Sequence, residues 1–168
     1  NTGSLATTAW GTALGIIREL YLRGDVELVY ADETRPLLQG SRLTSWELTQ
    51  VQIPHVIQSD GAAASTILRS LVDVAIIGAD RIARNGDTAN KIGSVSVALA
   101  CHVAGIPFVV AAPSSTVDLS TASGDEIEIE LRDGSEVTSI GGVQVAPAGA
   151  QGFNPAFDVT PARFISAI

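Results

Sequence analysis

Four short apolar runs, at residues 27–31, 55–59, 74–77 and 108–112, alternate with segments of helical spacing at 41–48, 62–71 and 92–104. This alternation constrains the fold more than any other feature. Strands that alternate with helices call for βαβ units and a parallel sheet. Right-handed crossovers then place helices on both faces of that sheet.

The flanking segments fill in the rest. Residues 1–4 read as a loop feeding a helix, in which Leu5, Ala9, Ala13, Ile16, Ile17 and Leu20 keep helical spacing. Gly24 suits the position just past its end, and Pro36 disfavours helix at Arg35. After the fourth run, Ile127, Ile129 and Leu131 alternate with charged residues, which predicts a half-exposed strand. Thr160-Pro161 predicts a capped helix over 162–168. The expected architecture is α/β: a Rossmann-like parallel sheet with helices on both faces, plus a short C-terminal strand and turn region, all in one domain over residues 1–168.

Composition narrows the function classes. The net charge is -8, with 10 basic residues against 18 acidic, and this argues against a nucleic-acid footprint. No apolar stretch reaches the length of a membrane span, and no basic segment followed by an apolar one opens the chain, so neither a membrane location nor a leader is expected. The single cysteine, Cys101, excludes an internal disulfide and fits a reducing compartment. His55 and His102 are far apart and no metal-ligand spacing occurs, so no metal is expected.

The chemistry concentrates in residues 76–93. An apolar strand turns through Gly78 and sets Asp80 just past its end. A polar loop with Asn85-Gly86 follows, and Asn90 and Lys91 open the next helical run. An acid, a carboxamide and a lysine on one strand-to-helix connection suit a small anionic substrate, which a helix N-terminus would also favour. Each residue alone has an ordinary structural explanation: a turn aspartate, a helix cap, a solvated lysine. Gln39 alone is a loop glutamine. Asp32 and Glu33 are a carboxylate pair or loop residues beside Arg35. Cys101 fits a packed thiol, His102 an exposed side chain, and Ser114-Ser115-Thr116 a turn or a phosphate contact. No Gly-x-Gly-x-x-Gly fingerprint is present, so NAD binding is unsupported.

Several longer blocks change the weight of these residues. They are Asn1 to Thr7, Ala31 to Thr44, Gly78 to Ile82, Asn85 to Gly93, Pro107 to Pro113 and Asn154 to Pro161. Together they resemble the methylthioribose-1-phosphate isomerase family, part of a wider group with ribose-1,5-bisphosphate isomerases and regulatory subunits of the translation-initiation exchange factor. The wording of Asp80-Arg81-Ile82 and Asp87 to Lys91 is that of the isomerase branch. The resemblance implies an aldose–ketose isomerase of methionine salvage acting on 5-methylthioribose 1-phosphate. It implies Asp80 as the catalytic acid, and Gln39, Asn90 and Lys91 as substrate contacts. It implies no cofactor and no metal, a sugar-phosphate partner, a cytoplasmic location and a homodimer, with Phe153, Phe157 and Phe164 as residues either of the dimer contact or of the core. The family's catalytic cysteine immediately precedes the segment matching residues 1–3, and a helical N-terminal half precedes that, so the resemblance implies the C-terminal domain of a longer protein, inactive alone. The rival readings are an isomerase of another pentose 1-phosphate, such as ribose 1,5-bisphosphate or deoxyribose 1-phosphate, and a non-catalytic regulatory subunit. For Asp80 to act as an acid its pKa must be raised by burial, with Ile76, Ile77 and Ile82 as the apolar neighbours.

Overall fold

A computed structural model describes residues 2–7 and 9–168. Asn1 of the expected opening loop and Thr8 of the first expected helix lie outside the described residues. The expected first helix is two: α1 at Ser4–Thr7 and α2 at Ala13–Arg23, parted by Gly11 with φ 86. Glu47 holds the start of α1 by accepting from Ser4 N at 2.7 Å and Ser4 Oγ at 2.8 Å. Gly24 ends α2 as expected, at φ 84, with its N–H turned back to Tyr21 O at 3.0 Å.

The four apolar runs form strands: β1 at Val29–Asp32, β2 at His55–Gln58, β3 at Ala75–Ile77, and Phe108–Val110, which is β6 in chain order. Strand β1 pairs in parallel with β2, and β3 in parallel with β6. These two parallel pairs are not joined to each other by a strand ladder. The outer edge of β6 is instead taken by the end of the chain, where Val110 N–H donates to Ala167 O at 2.9 Å and Ser166 N–H to Phe108 O at 2.8 Å. The fold is therefore mixed α/β with small sheets.

Residues 81–91, expected as a loop opening into a helix, contain a hairpin. Its strands are β4 at Arg81–Ala83 and β5 at Thr88–Lys91, antiparallel to each other. Asn85 and Gly86 (φ 89) make the turn, with Asp87 N–H donating to Asn85 Oδ1 at 3.0 Å. Strand β7 at Val117–Asp118 lies parallel to β4 on the other side. The helix after the hairpin, here α5, starts at Ser94 and runs to Ala104, so Asn90 and Lys91 end a strand and do not open a helix.

Helix α3 is Ser45–Gln50, preceded by one turn of π-helix at Gly40–Thr44, and α4 is Ala63–Leu68. The larger core cluster joins α4, α5, β3, β4 and β6 through Ile67, Ile82, Ala98, Cys101, Phe108 and Val110. A second packs Leu14, Leu48 and Ile53 between α2, α3 and the first parallel pair. A third joins Ala83, Ala89 and Ile127.

The C-terminal third corrects two further expectations. Residues 127–131 do not form a strand: Ile127 is buried, Leu131 is 67% exposed, and among the described residues their only ladder contact is an isolated bridge from Leu131 to Pro155. The alternation marked the packed side at Ile127 and Ile129, but the pairing with the segment around Pro155 stops at that single bridge. Helix α6 at Ser135–Thr138 and the small hairpin of β8 at Ser139–Ile140 with β9 at Val143–Gln144 follow. The expected helix over 162–168 is one 3-10 turn, Ala162–Phe164. Phe157–Thr160 before it is β10, antiparallel to β5, so the Thr160 side chain is a buried strand residue and no cap. Asp87 pins this segment, its carboxylate accepting Ala162 N–H at 2.8 Å and Gly124 N–H at 3.0 Å.

Candidate functional site

The β3–β4 turn and the hairpin bring three of the expected residues together. Asp80 follows β3, and its N–H donates to Ala89 O at 2.8 Å, next to Asn90. Asn90 and Lys91 are half-buried at the end of β5. Asn90 Nδ2 donates to Ser94 Oγ at 2.9 Å, and Ser94 Oγ donates to Lys91 O at 2.7 Å. Lys91 Nζ lies 4.5 Å from the centre of the Phe157 ring.

Burial holds the Lys91 ammonium below its usual lysine range, and the charge of Arg132 adds to this. Glu130, Asp80 and Glu136 oppose the shift, which places Asp80 and Lys91 within electrostatic reach of each other. Arg132 is itself held by Glu136, whose Oε2 also accepts from Asn154 Nδ2 at 2.9 Å. The side chain of Asp80 is exposed in this chain, so the burial expected to make it a better acid is not supplied by Ile76, Ile77 and Ile82.

Gln39 stands on a different element, the connection between β1 and the π-turn. Its Oε1 is buried and has no hydrogen-bond partner. A buried acceptor left unpaired costs roughly 1–3 kcal/mol, which a ligand hydroxyl would recover. The start of the connection is tied down by Asp60, which accepts Thr34 N–H at 2.8 Å and Arg35 N–H at 2.7 Å. Arg35 Nη2 reaches across to Val137 O at 3.0 Å, one residue from Glu136 and so toward the surroundings of Lys91.

The helix N-terminus does not offer open N–H groups. Asp158 accepts Gly93 N–H at 2.8 Å and Val95 N–H at 3.3 Å, occupying the start of α5 with a carboxylate of the chain itself. Burial pushes the Asp158 carboxyl up, against these N–H donors. Asp158 is not singled out by the sequence, and Phe157 is marked there only as a residue of a dimer contact or of the core. The signal for them was the block Asn154 to Pro161, but their proximity to Lys91 depends on an antiparallel pairing across more than sixty residues, with 65 separating Asp158 from Gly93.

The remaining candidates are structural here. Cys101 is fully buried and its thiol is pushed up to about 11 by that burial, which makes it inert. His102 is exposed, edge-on to Phe164 at 5.1 Å. Ser114–Thr116 is a 3-10 turn, exposed at Ser114 and Ser115 and half-buried at Thr116. Two grooves lie elsewhere. One of about 460 Å³ runs along α2 between Trp10 and Arg23, and one of about 310 Å³ sits between the end of α5 and residues 163–166. Neither is lined by Asp80, Gln39, Asn90 or Lys91. Among the described residues no group of three or more His, Cys, Asp or Glu side chains is placed to hold a metal ion, and no helix is long and apolar enough to cross a membrane.

Fold and site together define a mixed α/β domain that gathers an acid, an amide and a lysine at the ends of short strands. Residues 3–168 match the Initiation factor 2 subunit family, and the chain belongs to that family. It is 54% identical over 168 residues to the methylthioribose-1-phosphate isomerase of Gloeobacter violaceus, covering 100% of this chain and 48% of that protein. The crystal structure of 5-methylthioribose 1-phosphate isomerase from Pyrococcus horikoshii OT3 is similar with a TM-score of 0.97 at 43% identity, over 100% of this chain and 47% of that one. The structure of translation initiation factor eIF-2B, subunit delta, from A. fulgidus is similar with a TM-score of 0.94 at 41% identity, over 100% of this chain and 49% of that one. The chain spans about half the length of the relatives it matches.

Proposed function

We propose that the protein containing this chain is an aldose–ketose isomerase that converts 5-methylthioribose 1-phosphate to 5-methylthioribulose 1-phosphate in methionine salvage. The observation that carries this reading is the grouping of Asp80, Asn90 and Lys91 on one hairpin, in a chain 54% identical along its whole length to a protein of that name. The 168 residues serve as one Rossmann-like catalytic domain, a reading supported by the parallel pairing of β1 with β2 and of β3 with β6.

The chemistry follows from the substrate. A phosphate on C1 blocks the anomeric oxygen, so the ring cannot open as a free sugar's does. An acid must protonate the ring oxygen, and Asp80 takes that role. Its side chain is exposed here, within reach of a bound sugar. Hydrogen then moves from C2 to C1, either as a hydride or through an enediolate-type intermediate, and the C2 hydroxyl gives up its proton as it becomes the ketone, balancing the proton taken from Asp80. Lys91 meets the negative charge of the sugar phosphate, while Asn90 and the unpaired Oε1 of Gln39 meet its hydroxyls. Fixing the substrate in this way supplies much of the rate by positioning alone. The reaction needs no metal or organic cofactor.

The protein is a homodimer in the cytoplasm on this reading. Exposed apolar side chains such as Trp10, Trp46, Val103 and Phe153 support a partner surface. Phe164, by contrast, packs on the core around Cys101. The structural likeness to the A. fulgidus eIF-2B subunit favours a second reading, a regulatory subunit that holds a sugar phosphate or nucleotide without turning it over.

The test is turnover of 5-methylthioribose 1-phosphate by the intact protein, with ribose 1,5-bisphosphate beside it. Conversion of the first, reduced by about two to four orders of magnitude in Asp80→Asn, is expected. Near-normal turnover by that variant sinks the assignment of the acid. Conversion of the bisphosphate alone moves the substrate. Binding without turnover of either moves the reading to the regulatory subunit.

A further inference from the structure

Strand β10 does more than close a sheet. Register sets Phe157 opposite Lys91 and Asp158 opposite Asn90. Directly opposed residues in an antiparallel pair share a face of the sheet, so the Phe157 ring and the Lys91 side chain lie on the same side. The ammonium rests 4.5 Å from the ring centre, within cation–π range. Asp158 points the other way and clamps the N–H groups of Gly93 and Val95. That clamp fixes the left-handed turn at Gly93 (φ 105), two residues past Lys91, and with it Ser94, which bonds both Lys91 O and Asn90 Nδ2.

We infer that Phe157 is a positioning residue for Lys91: its ring holds the ammonium in one orientation, over a backbone that Asp158 keeps in place, so that the lysine meets the substrate's negative group without first being ordered. This rests on the reading of Lys91 as a substrate contact. A lysine on a flexible stem otherwise samples many rotamers, and binding must restrict them. Purely structural packing at position 157 needs only an apolar side chain. The aromatic face matters if the ammonium is its partner.

The experiment compares the intact protein with Lys91→Ala, Phe157→Leu and Phe157→Tyr. The expected result for Phe157→Leu is a KM raised about 2- to 30-fold, the fold-change of a cation–π contact, with kcat within about twofold. Phe157→Tyr restores KM, because its ring keeps the negative face. The ammonium of Lys91 is titrated by NMR in the same proteins. Its charged neighbours are Arg132, Glu130, Asp80 and Glu136, and all remain in both Phe157 variants. The Leu variant removes the ring's attraction for the cation while keeping the apolar surroundings, so Lys91 loses its proton at lower pH than in the wild type. An unmoved titration, or a Tyr variant as impaired as Leu, overturns the inference. A moved titration in a protein that converts neither sugar phosphate supports the ring contact and overturns the isomerase reading alone. Normal KM in Lys91→Ala overturns the role of the lysine and, with it, the inference.

Discussion

Gln58 donates from Nε2 to Asp32 Oδ1 at 2.8 Å, joining the ends of β1 and β2 side by side. Thr66 completes the line from α4, its hydroxyl donating to Gln58 Oε1 at 2.7 Å. The amide of Gln58 is thus held from one end and holds Asp32 with the other. Burial pushes the Asp32 carboxyl up to about 6, against the Gln58 bond, and the charges of Asp60 and Glu33 add to the rise.

Stability therefore depends on pH through Asp32. Its folded pKa lies above the unfolded value of 3.8, so the folded state binds the proton more tightly. The resulting stability is present below about pH 4 and is lost as pH rises to about 6. At about 1.4 kcal/mol per unit the elevation is worth at most about 3 kcal/mol, and solvent screening of a half-buried group reduces it. Asp32→Asn cannot ionise and is expected to gain on the wild type between pH 4 and pH 6. Denaturant midpoints of both proteins across that range check this. Parallel curves would show that Asp32 is not the source.

Two glycines of opposite kind give a ranked prediction. A Cβ on Gly40 would lie 1.7 Å from Asp32 O, a backbone atom that cannot step aside. Gly40→Ala is expected to displace the Gln39 connection and to cost more than about 3 kcal/mol, or to abolish folding. A Cβ on Gly24 meets nothing within 4 Å, but φ is 84 there. Gly24→Ala costs only the left-handed backbone term, about 1–2 kcal/mol. Thermal melts of the two variants settle the order, and a Gly40→Ala protein as stable as Gly24→Ala would contradict the packing argument.

The four apolar runs became strands at 29–32, 55–58, 75–77 and 108–110 because local pattern and tertiary pairing agree there. The β4–β5 hairpin was hidden. Arg81 to Ala83 and Thr88 to Lys91 are too short to show a period, so only Asn85-Gly86 marked it, as a turn without its strands. Thr160-Pro161 carries the local signature of a helix start, but pairing of β10 with β5 overrides it. The site follows the same division. Asp80, Asn90 and Lys91 are close in sequence and were legible as a group. What holds Lys91 in place, the ring of Phe157, depends on a partner strand far along the chain.

Thr160 ends β10 opposite Thr88, and both are fully buried. Their hydroxyls differ. Thr88 Oγ1 donates to Gly86 O at 3.1 Å, whereas Thr160 Oγ1 has no hydrogen-bond partner. Valine has nearly the shape of threonine and keeps the β-branched fit to a strand. Thr160→Val therefore removes an unpaired polar group without leaving another behind, and is expected to be neutral or stabilising by up to about 1 kcal/mol. Thr88→Val strands the Gly86 carbonyl in the hairpin turn and is expected to cost about 1 kcal/mol or more. Denaturant unfolding of the two variants against the wild type measures the difference. Equal losses in both would mean that the Thr160 hydroxyl is satisfied in solution, and the contrast drawn here would fall.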